Sequence, residues 1–210
     1  MKNLLLLLLA LPGAVFATEP ALRAEIVAAS APEVAAIRRA GEKATAALSQ
    51  RLLAELTVAL GTGGPENAVD FCHLQVPALT KPQAADQPEI VAVKRTSRRL
   101  RNAANAPDAA EQLALRHVEE QLARGEPPPA LFVQRIETEG SPTPEWRVYR
   151  SVVVQPACLA CHGPSDQLPA VLRDALHERY PKDAATGYRT GDWRGLIRAT
   201  VRPVAAVPAS

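Results

Sequence analysis

The sequence predicts an α+β domain in which helices pack on an antiparallel sheet. Helical spacing of apolar residues dominates the first third of the chain, whereas short apolar runs separated by single helices fill the rest. Neighbouring runs around residue 140 are joined by a short turn-rich segment, which is typical of a hairpin and therefore of antiparallel pairing.

The predicted helical part consists of two helices. Apolar residues recur at steps of three and four over 34–60 and predict a helix of about 28 residues. We expect Ser30 to be its N-cap, with Glu33 completing a capping box. Glycines at 61, 63 and 64 predict its end, and Pro65 predicts the start of a second helix. One face of that second helix carries Val69, Cys72, Val76 and Leu79.

The remaining elements are predicted from strand-like runs and cap residues. Asp108 is expected to cap a helix that ends at Gly125, and a short helix is expected over Leu168–Tyr180. Strands are predicted over 89–96, 131–138, 145–154 and 195–201, the second and third forming a hairpin.

The first residues have the layout of a secretory signal peptide. A single Lys2 precedes an apolar run over 4–16, and small residues lie at Val15 and Ala17. The run is shorter than the roughly 20 residues that span a bilayer. We therefore expect cleavage after Ala17, no membrane span afterwards and a periplasmic protein; an uncleaved N-terminal anchor is the alternative.

The rest of the chain is expected to form one domain over residues 18–203, followed by a loose tail over 204–210. The net charge is +2, and no dense basic block is interleaved with aromatic residues. This composition argues against nucleic acid as a partner.

The strongest local signal is Cys158-Leu159-Ala160-Cys161-His162. Two thiols at this spacing can add to the two vinyl groups of one porphyrin, and the adjacent imidazole then binds its iron. A redox dithiol would normally follow a strand and open a long helix, and a zinc site would need a second pair of ligands. We therefore predict one covalent haem c, with His162 as the proximal ligand and a requirement for the cytochrome c maturation machinery.

The second axial ligand has several candidates. Methionine is excluded, since the only one is Met1, which leaves with the signal peptide. The remaining candidates are Cys72, His73, His117 and His177. Cys72 lies on the apolar face of its helix and would point inward, although a free cysteine is often only a small buried apolar residue.

Several segments resemble a known family, the bacterial monohaem c-type proteins with a PAS-like fold. The similar segments, which lie within roughly residues 45–203, are Val93–Asn102, Asn105–Asp108, Val148–Arg150, Cys158–Gly163 and Tyr180–Gly195. Ala103 departs from the family pattern, in which proline is frequent at that turn.

The resemblance implies a PAS-like antiparallel sheet with packed helices, preceded by a long N-terminal helix. It also implies that Cys72, which is followed by Pro77, is the distal iron ligand opposite His162; His73 is the alternative. A thiolate ligand favours ferric iron, so the resemblance implies a low reduction potential.

Five cations lie close together in the sequence. They have two interpretations: pairing with haem propionates, or a solvated strand end. The five are Lys94, Arg95, Arg98, Arg99 and Arg101.

These observations predict an exported haem protein with a redox role, either an electron carrier or a redox or ligand sensor. Both roles require a redox partner protein. The alternative is a haem enzyme that oxidises sulfur compounds. Two protein ligands would close both faces of the iron, so the sequence favours a protein that is not an enzyme.

Overall fold

In the computed structural model, the described residues are 21–28, 31, 34–76, 80 and 87–203. The strands are β1 (Leu22–Val27), β2 (Ile90–Thr96), β3 (Leu131–Thr138), β4 (Glu145–Val153) and β5 (Trp193–Val201). The helices are α1 (Ala35–Leu74), α2 (Ala109–Ala123), α3 (Leu159–His162) and α4 (Ala170–Arg179), with 3-10 turns at Ala103–Asn105 and Pro156–Cys158.

Within these ranges the strands form one antiparallel sheet in the order β1-β3-β4-β5-β2. The predicted hairpin is confirmed, with Leu131 opposite Arg150 and Ile136 opposite Glu145. The α+β class with an antiparallel sheet, packed helices and a long N-terminal helix is confirmed, and the arrangement is consistent with the PAS-like expectation.

The helix α1 is broken where the sequence predicts a boundary between two helices. Gly63 and Gly64 have non-helical dihedral angles, and Gly64 has a φ of 68°, which side-chain-bearing residues avoid. Pro65 follows immediately, where its missing N–H costs no helical hydrogen bond. The predicted end of the first helix and start of the second are therefore confirmed.

The predicted start of that first helix is wrong. The helix begins at Ala35, and its N-cap is Val34, which provides no side-chain hydrogen bond. The reason lies in β1, a strand that the sequence analysis missed. This strand ends at Val27, and beyond it Ala31 N–H donates to the Ala28 carbonyl at 3.0 Å. Ser30 and Glu33 lie outside the described residues.

Each face of the sheet has its own core. On one face, α1 packs through Ile37 and Ala44 against Val148 and Ala199. On the other face, α2 packs through Leu115 and Val118 against Phe132 and Tyr149, with the two aromatic rings stacked at 5.0 Å. Adjacent residues of β4 thus face opposite cores, as strand geometry requires.

The part of α1 after the glycine break is attached to α4. Val69 packs with Leu172 and Leu176, and Arg179 Nε donates to Asp70 Oδ1 at 2.8 Å. This attachment holds the Cys72 turn beside the segment that follows the Cys158–His162 motif.

Some predictions concern residues outside the described ranges. They are the signal peptide over 1–17, Pro77 and Leu79 after Cys72, and the tail over 204–210. None of the helices in the described ranges combines the length and the hydropathy of a membrane span.

Candidate functional site

A cavity lies between one end of the sheet, the second half of α1 and the segment that contains the cysteine motif. Its volume is about 200 Å³, which is smaller than most ligand pockets. Cys72, Cys158 and His162 all line it, together with apolar residues of the sheet such as Val152 and Leu196. The structure therefore brings together three of the four predicted site residues, which are separated by up to 90 positions in the chain.

The motif itself is carried by two short helical turns. The 3-10 turn Pro156–Cys158 runs directly into α3, and Gly163 N–H donates to the Leu159 carbonyl at 2.9 Å. Cys158 and His162 thereby reach the same cavity, whereas Cys161 packs against the apolar cluster around Val69. The thiols of all three cysteines are free.

The imidazole of His162 is oriented by the backbone. Its Nδ1 lies 2.6 Å from the carbonyl oxygen of Ala185. A carbonyl only accepts, so Nδ1 carries the proton and Nε2 keeps its lone pair. Burial, together with Arg101 and Arg194, lowers the pKa of His162 to about 3. A neutral imidazole with one nitrogen held by a backbone carbonyl is the form that ligates metals.

The loop that supplies this carbonyl is fixed by a further network. Asp183 Oδ1 accepts a hydrogen bond from Ala185 N–H at 2.8 Å, and Asp183 Oδ2 accepts one from Arg101 Nε at 3.0 Å. Arg101 Nη2 also donates to the Cys161 carbonyl at 2.6 Å. The motif and the loop that orients its histidine are therefore joined by one guanidinium group.

Cys72 lies on the face of α1 predicted from the sequence. Val69 and Val76 on either side of it are buried, which confirms the predicted apolar face for these residues. Burial raises the pKa of the Cys72 thiol, while Arg95 and Arg101 act in the opposite direction. The thiol thus lies in an apolar wall with cations nearby, an environment that can hold either a thiol or a metal-bound thiolate.

The three histidines considered as alternative ligands do not line this cavity. His73 packs edge-on against the Tyr180 ring at 5.3 Å, and its buried Nδ1 has no hydrogen-bond partner among the described residues. His117 lies against Phe132 on the α2 face of the sheet, and His177 is exposed. Of the four candidates, Cys72 shares the cavity with His162.

The five-cation cluster is divided between different surroundings. Lys94 Nζ lies 2.7 Å from Glu111, and Arg98 Nε lies 2.9 Å from Glu119, both on α2. Lys94 and Arg98 therefore pair with carboxylates of a neighbouring helix. Arg98 is exposed, which agrees with the solvated interpretation, whereas Lys94 is partly buried.

The other three cations of the cluster do not pair with α2. Arg99 donates to the carbonyls of Ala184 and Thr186, and its guanidinium lies 4.1 Å from the centre of the Tyr188 ring. Arg95 and Arg101 line the cavity. Strand alternation explains the division, since Lys94 and Arg95 are adjacent in β2 and must point to opposite faces.

Two cavity residues were missed as site residues in the sequence analysis. Arg194, at the start of β5, donates to Ser97 Oγ at 2.7 Å and to the Arg99 carbonyl at 2.9 Å. Tyr180, at the end of α4, has a pKa raised to about 12, first by burial and then by Cys72. Both belong to the segment Tyr180–Gly195 that carries the family resemblance, but nothing in their spacing predicts a cavity.

The donors fit a haem bound through this cavity. One thiol of the motif and a neutral imidazole lie in the cavity wall, and a second thiol comes from another helix. Arg95 Nε is buried there and has no partner in the described part of the chain. Soft sulfur and imidazole donors beside apolar walls match the ligands of haem iron and its thioether links.

Comparison with known proteins gives a consistent result. The family model described as Tll0287-like: Tll0287 matches residues 23–202. The crystal structure of the cyanobacterial heme-protein Tll0287 is similar, with a TM-score of 0.53 and 24% sequence identity over 83% of this chain and 98% of that chain. None of the curated proteins matches the chain.

Proposed function

The chain belongs to the Tll0287-like family, and from that premise we propose that it is an exported redox protein with one covalent haem c. Cys158 and Cys161 form the thioether links, His162 is the proximal ligand and Cys72 is the distal ligand. The observation that carries this proposal is the shared cavity of Cys72, Cys158 and His162.

Support for haem attachment comes from the motif and from the matched cyanobacterial protein, which is a heme-protein. Cys161 packs in the apolar cluster beside the cavity and would turn toward the porphyrin when its thioether bond forms.

Support for His162 as proximal ligand comes from its hydrogen bond to the Ala185 carbonyl. This bond fixes the tautomer in which Nε2 is available for iron. It also places electron density on the imidazole, which raises its strength as a ligand.

Support for Cys72 as distal ligand comes from its position on α1, an element different from the one that carries His162. Val69 and Val76 fix the direction of this helical turn by packing in the core, and the Asp70–Arg179 ion pair attaches it to α4. A ligand held by a different element from the motif can approach the iron from the opposite side.

The redox role follows from this ligand set. A haem iron supplies one-electron redox chemistry, and two protein ligands leave no open position for a substrate. The chain's own contribution is to hold both ligands in a partly closed apolar cavity, so that little rearrangement accompanies electron transfer. The same properties suit a carrier or a redox sensor, and a partner protein is required in either case.

The location is the periplasm, reached through the signal peptide over residues 1–17. Thioether formation by the cytochrome c maturation machinery requires the two motif thiols to be reduced when haem arrives. The free state of Cys158 and Cys161 is compatible with that requirement.

The proposal is tested by producing the full chain with and without the maturation machinery. We expect a coloured periplasmic protein whose mass includes one porphyrin only when the machinery is present, and whose N-terminus is Thr18. The Cys158→Ala/Cys161→Ala double variant is the matched control and should lack the added mass. Colourless wild-type protein from cells with the machinery would contradict the proposal.

A second measurement separates the two redox roles. A carrier exchanges electrons rapidly with a co-expressed cytochrome, and its reduced form does not bind carbon monoxide. A ligand sensor binds carbon monoxide or nitric oxide in the reduced form, because the distal ligand is displaced.

A further inference from the structure

One guanidinium group of the cavity has a buried Nε without a partner among the described residues. Arg95 reaches the cavity from β2, and its Nε is buried without a hydrogen-bond partner. Burial lowers the pKa of Arg95, and the groups acting in the opposite direction are Cys72 and Tyr180, both in the same cavity. A guanidinium remains charged in proteins, so the cavity contains a permanent positive charge.

The two other guanidinium groups of the cavity are already occupied. Arg101 forms an ion pair with Asp183, and Arg194 donates to Ser97 Oγ and to the Arg99 carbonyl. Their contacts hold the loop that orients His162 and the start of β5. Arg95 differs from both, because its buried Nε has no hydrogen-bond partner among the described residues.

A buried cation without an anion is unfavourable, and proteins retain one where a bound group supplies the opposite charge. In the proposed haem site, a ferric iron, the porphyrin dianion and one thiolate cancel in charge. The negative charge that remains belongs to the carboxylate side chains of the porphyrin. Arginine suits such a group, because its planar donors match both carboxylate oxygens.

We propose that Arg95 binds a carboxylate of the porphyrin and is the anion-binding residue of the cavity. This inference rests on the proposed function. It assigns the role to one of the five clustered cations and removes it from Lys94 and Arg98, which pair with α2. Arg95 is then a positioning residue that sets the orientation of the cofactor and raises its reduction potential through its positive charge.

The test compares holoprotein variants by resonance Raman spectroscopy and by redox titration. Arg95→Met should shift the propionate bending band and make the reduction potential more negative, because a positive charge that favours the reduced state is lost. Arg95→Lys keeps the charge and should retain most of the potential while still shifting the band, since a lysine is not bidentate. Arg98→Gln removes a cation that is paired on the surface and should change neither.

A double variant excludes an action of Arg95 through the distal ligand. In a Cys72→Ala background, Arg95→Met should still shift the propionate band and lower the potential. If the effects disappear in that background, Arg95 acts on the thiolate and the inference is wrong. An unchanged propionate band in Arg95→Met alone also overturns it.

The failure of this inference is distinct from the failure of the proposed function. If the wild-type chain binds no haem, the proposed function fails and no propionate band exists. If wild-type haem is attached and the Arg95 variants match the Arg98 control, the proposed function stands and only the role of Arg95 is overturned.

Discussion

The two faces of the sheet differ in how their charged side chains are paired. On the α2 face, Glu111 is completely buried and forms ion pairs with Lys94 at 2.7 Å and Arg198 at 3.1 Å. At the end of the α1 face, Arg95 lies in the cavity, and its buried Nε has no partner within the described ranges. The α2 face thus contains a structural network whose charges pair with one another. The cavity contains the charge of Arg95, for which the described residues supply no such pair.

The α2 network extends beyond this ion pair. The Asp108 carboxylate accepts two hydrogen bonds from Arg147 Nη1 at 2.8 Å and also accepts the N–H of Glu111. Glu111 in turn accepts the N–H of Asp108, which completes a capping box at the start of α2. The network therefore fixes a helix start and ties that start to the sheet.

The largest expected effect comes from removing the buried charge on the α2 face. Glu111→Gln leaves Lys94 and Arg198 without their shared carboxylate, and should lower the free energy of unfolding by about 3 kcal/mol. Urea denaturation of the holoprotein measures this. Glu119→Gln is the control, because its ion pair with Arg98 is exposed and contributes about 0–1 kcal/mol. Equal losses in both variants would contradict the distinction between the two kinds of pair.

The backbones of β2 and β5 approach each other closely beside the cavity. Gly195 has a φ of 146°, and a side chain there would collide with the Thr96 carbonyl oxygen. Gly195→Ala should therefore lower the stability by about 2 kcal/mol through overpacking and backbone strain. Gly140 also has a positive φ, 82°, but open space lies where a side chain would be. Gly140→Ala should therefore lower the stability only through backbone strain. Thermal unfolding tests the difference, and a smaller loss at Gly195 than at Gly140 would show that β2 and β5 are not so close.

A neutral hydrogen bond in the α2 face gives a smaller effect. Tyr149 Oη donates to Gln134 Oε1 at 2.9 Å, and both side chains are buried. Tyr149→Phe leaves that oxygen unsatisfied and should lower the free energy of unfolding by about 1–2 kcal/mol. Chemical denaturation measures this, and the haem spectrum should not change because Tyr149 does not line the cavity. A spectral change would show that the two faces are coupled.

The smallest effect is a pH dependence carried by Asp108. Burial raises the pKa of this carboxyl, but the hydrogen bonds from Arg147 and Glu111 outweigh it, so the net pKa is lowered. The folded protein then binds the proton less readily than the unfolded chain. The stabilisation is present above about pH 4 and is lost as the pH falls below that value. Asp108→Asn and Arg147→Met should both flatten the acid limb of a stability-against-pH curve; an unchanged limb in both would contradict the account.

Much of the fold was predictable because local signals were strong. The capping box at Asp108, the alternation in β3 and β4 and the glycines before Pro65 each act within a few residues. The missed strand β1 has alternating residues too, but two of its apolar side chains, Leu22 and Ile26, remain exposed. It pairs with a strand more than a hundred residues away, and no local pattern indicates such a partner.

The candidate site was predictable in its reactive groups but not in its charges. The cysteine motif has a fixed spacing, and the helix face of Cys72 follows from its neighbours. The division of Lys94 from Arg95 also follows from strand alternation. By contrast, the contacts of Arg101 with Asp183 and of His162 with Ala185 depend on how distant segments meet, which the sequence does not encode locally.

The most direct measurement is the electron paramagnetic resonance spectrum of the ferric holoprotein and its Cys72→Ala variant. The account predicts a low-spin, thiolate-type signal in the wild type that is lost in Cys72→Ala and retained in His73→Ala. A Cys72→Ala spectrum identical to that of the wild type would contradict thiolate ligation by Cys72.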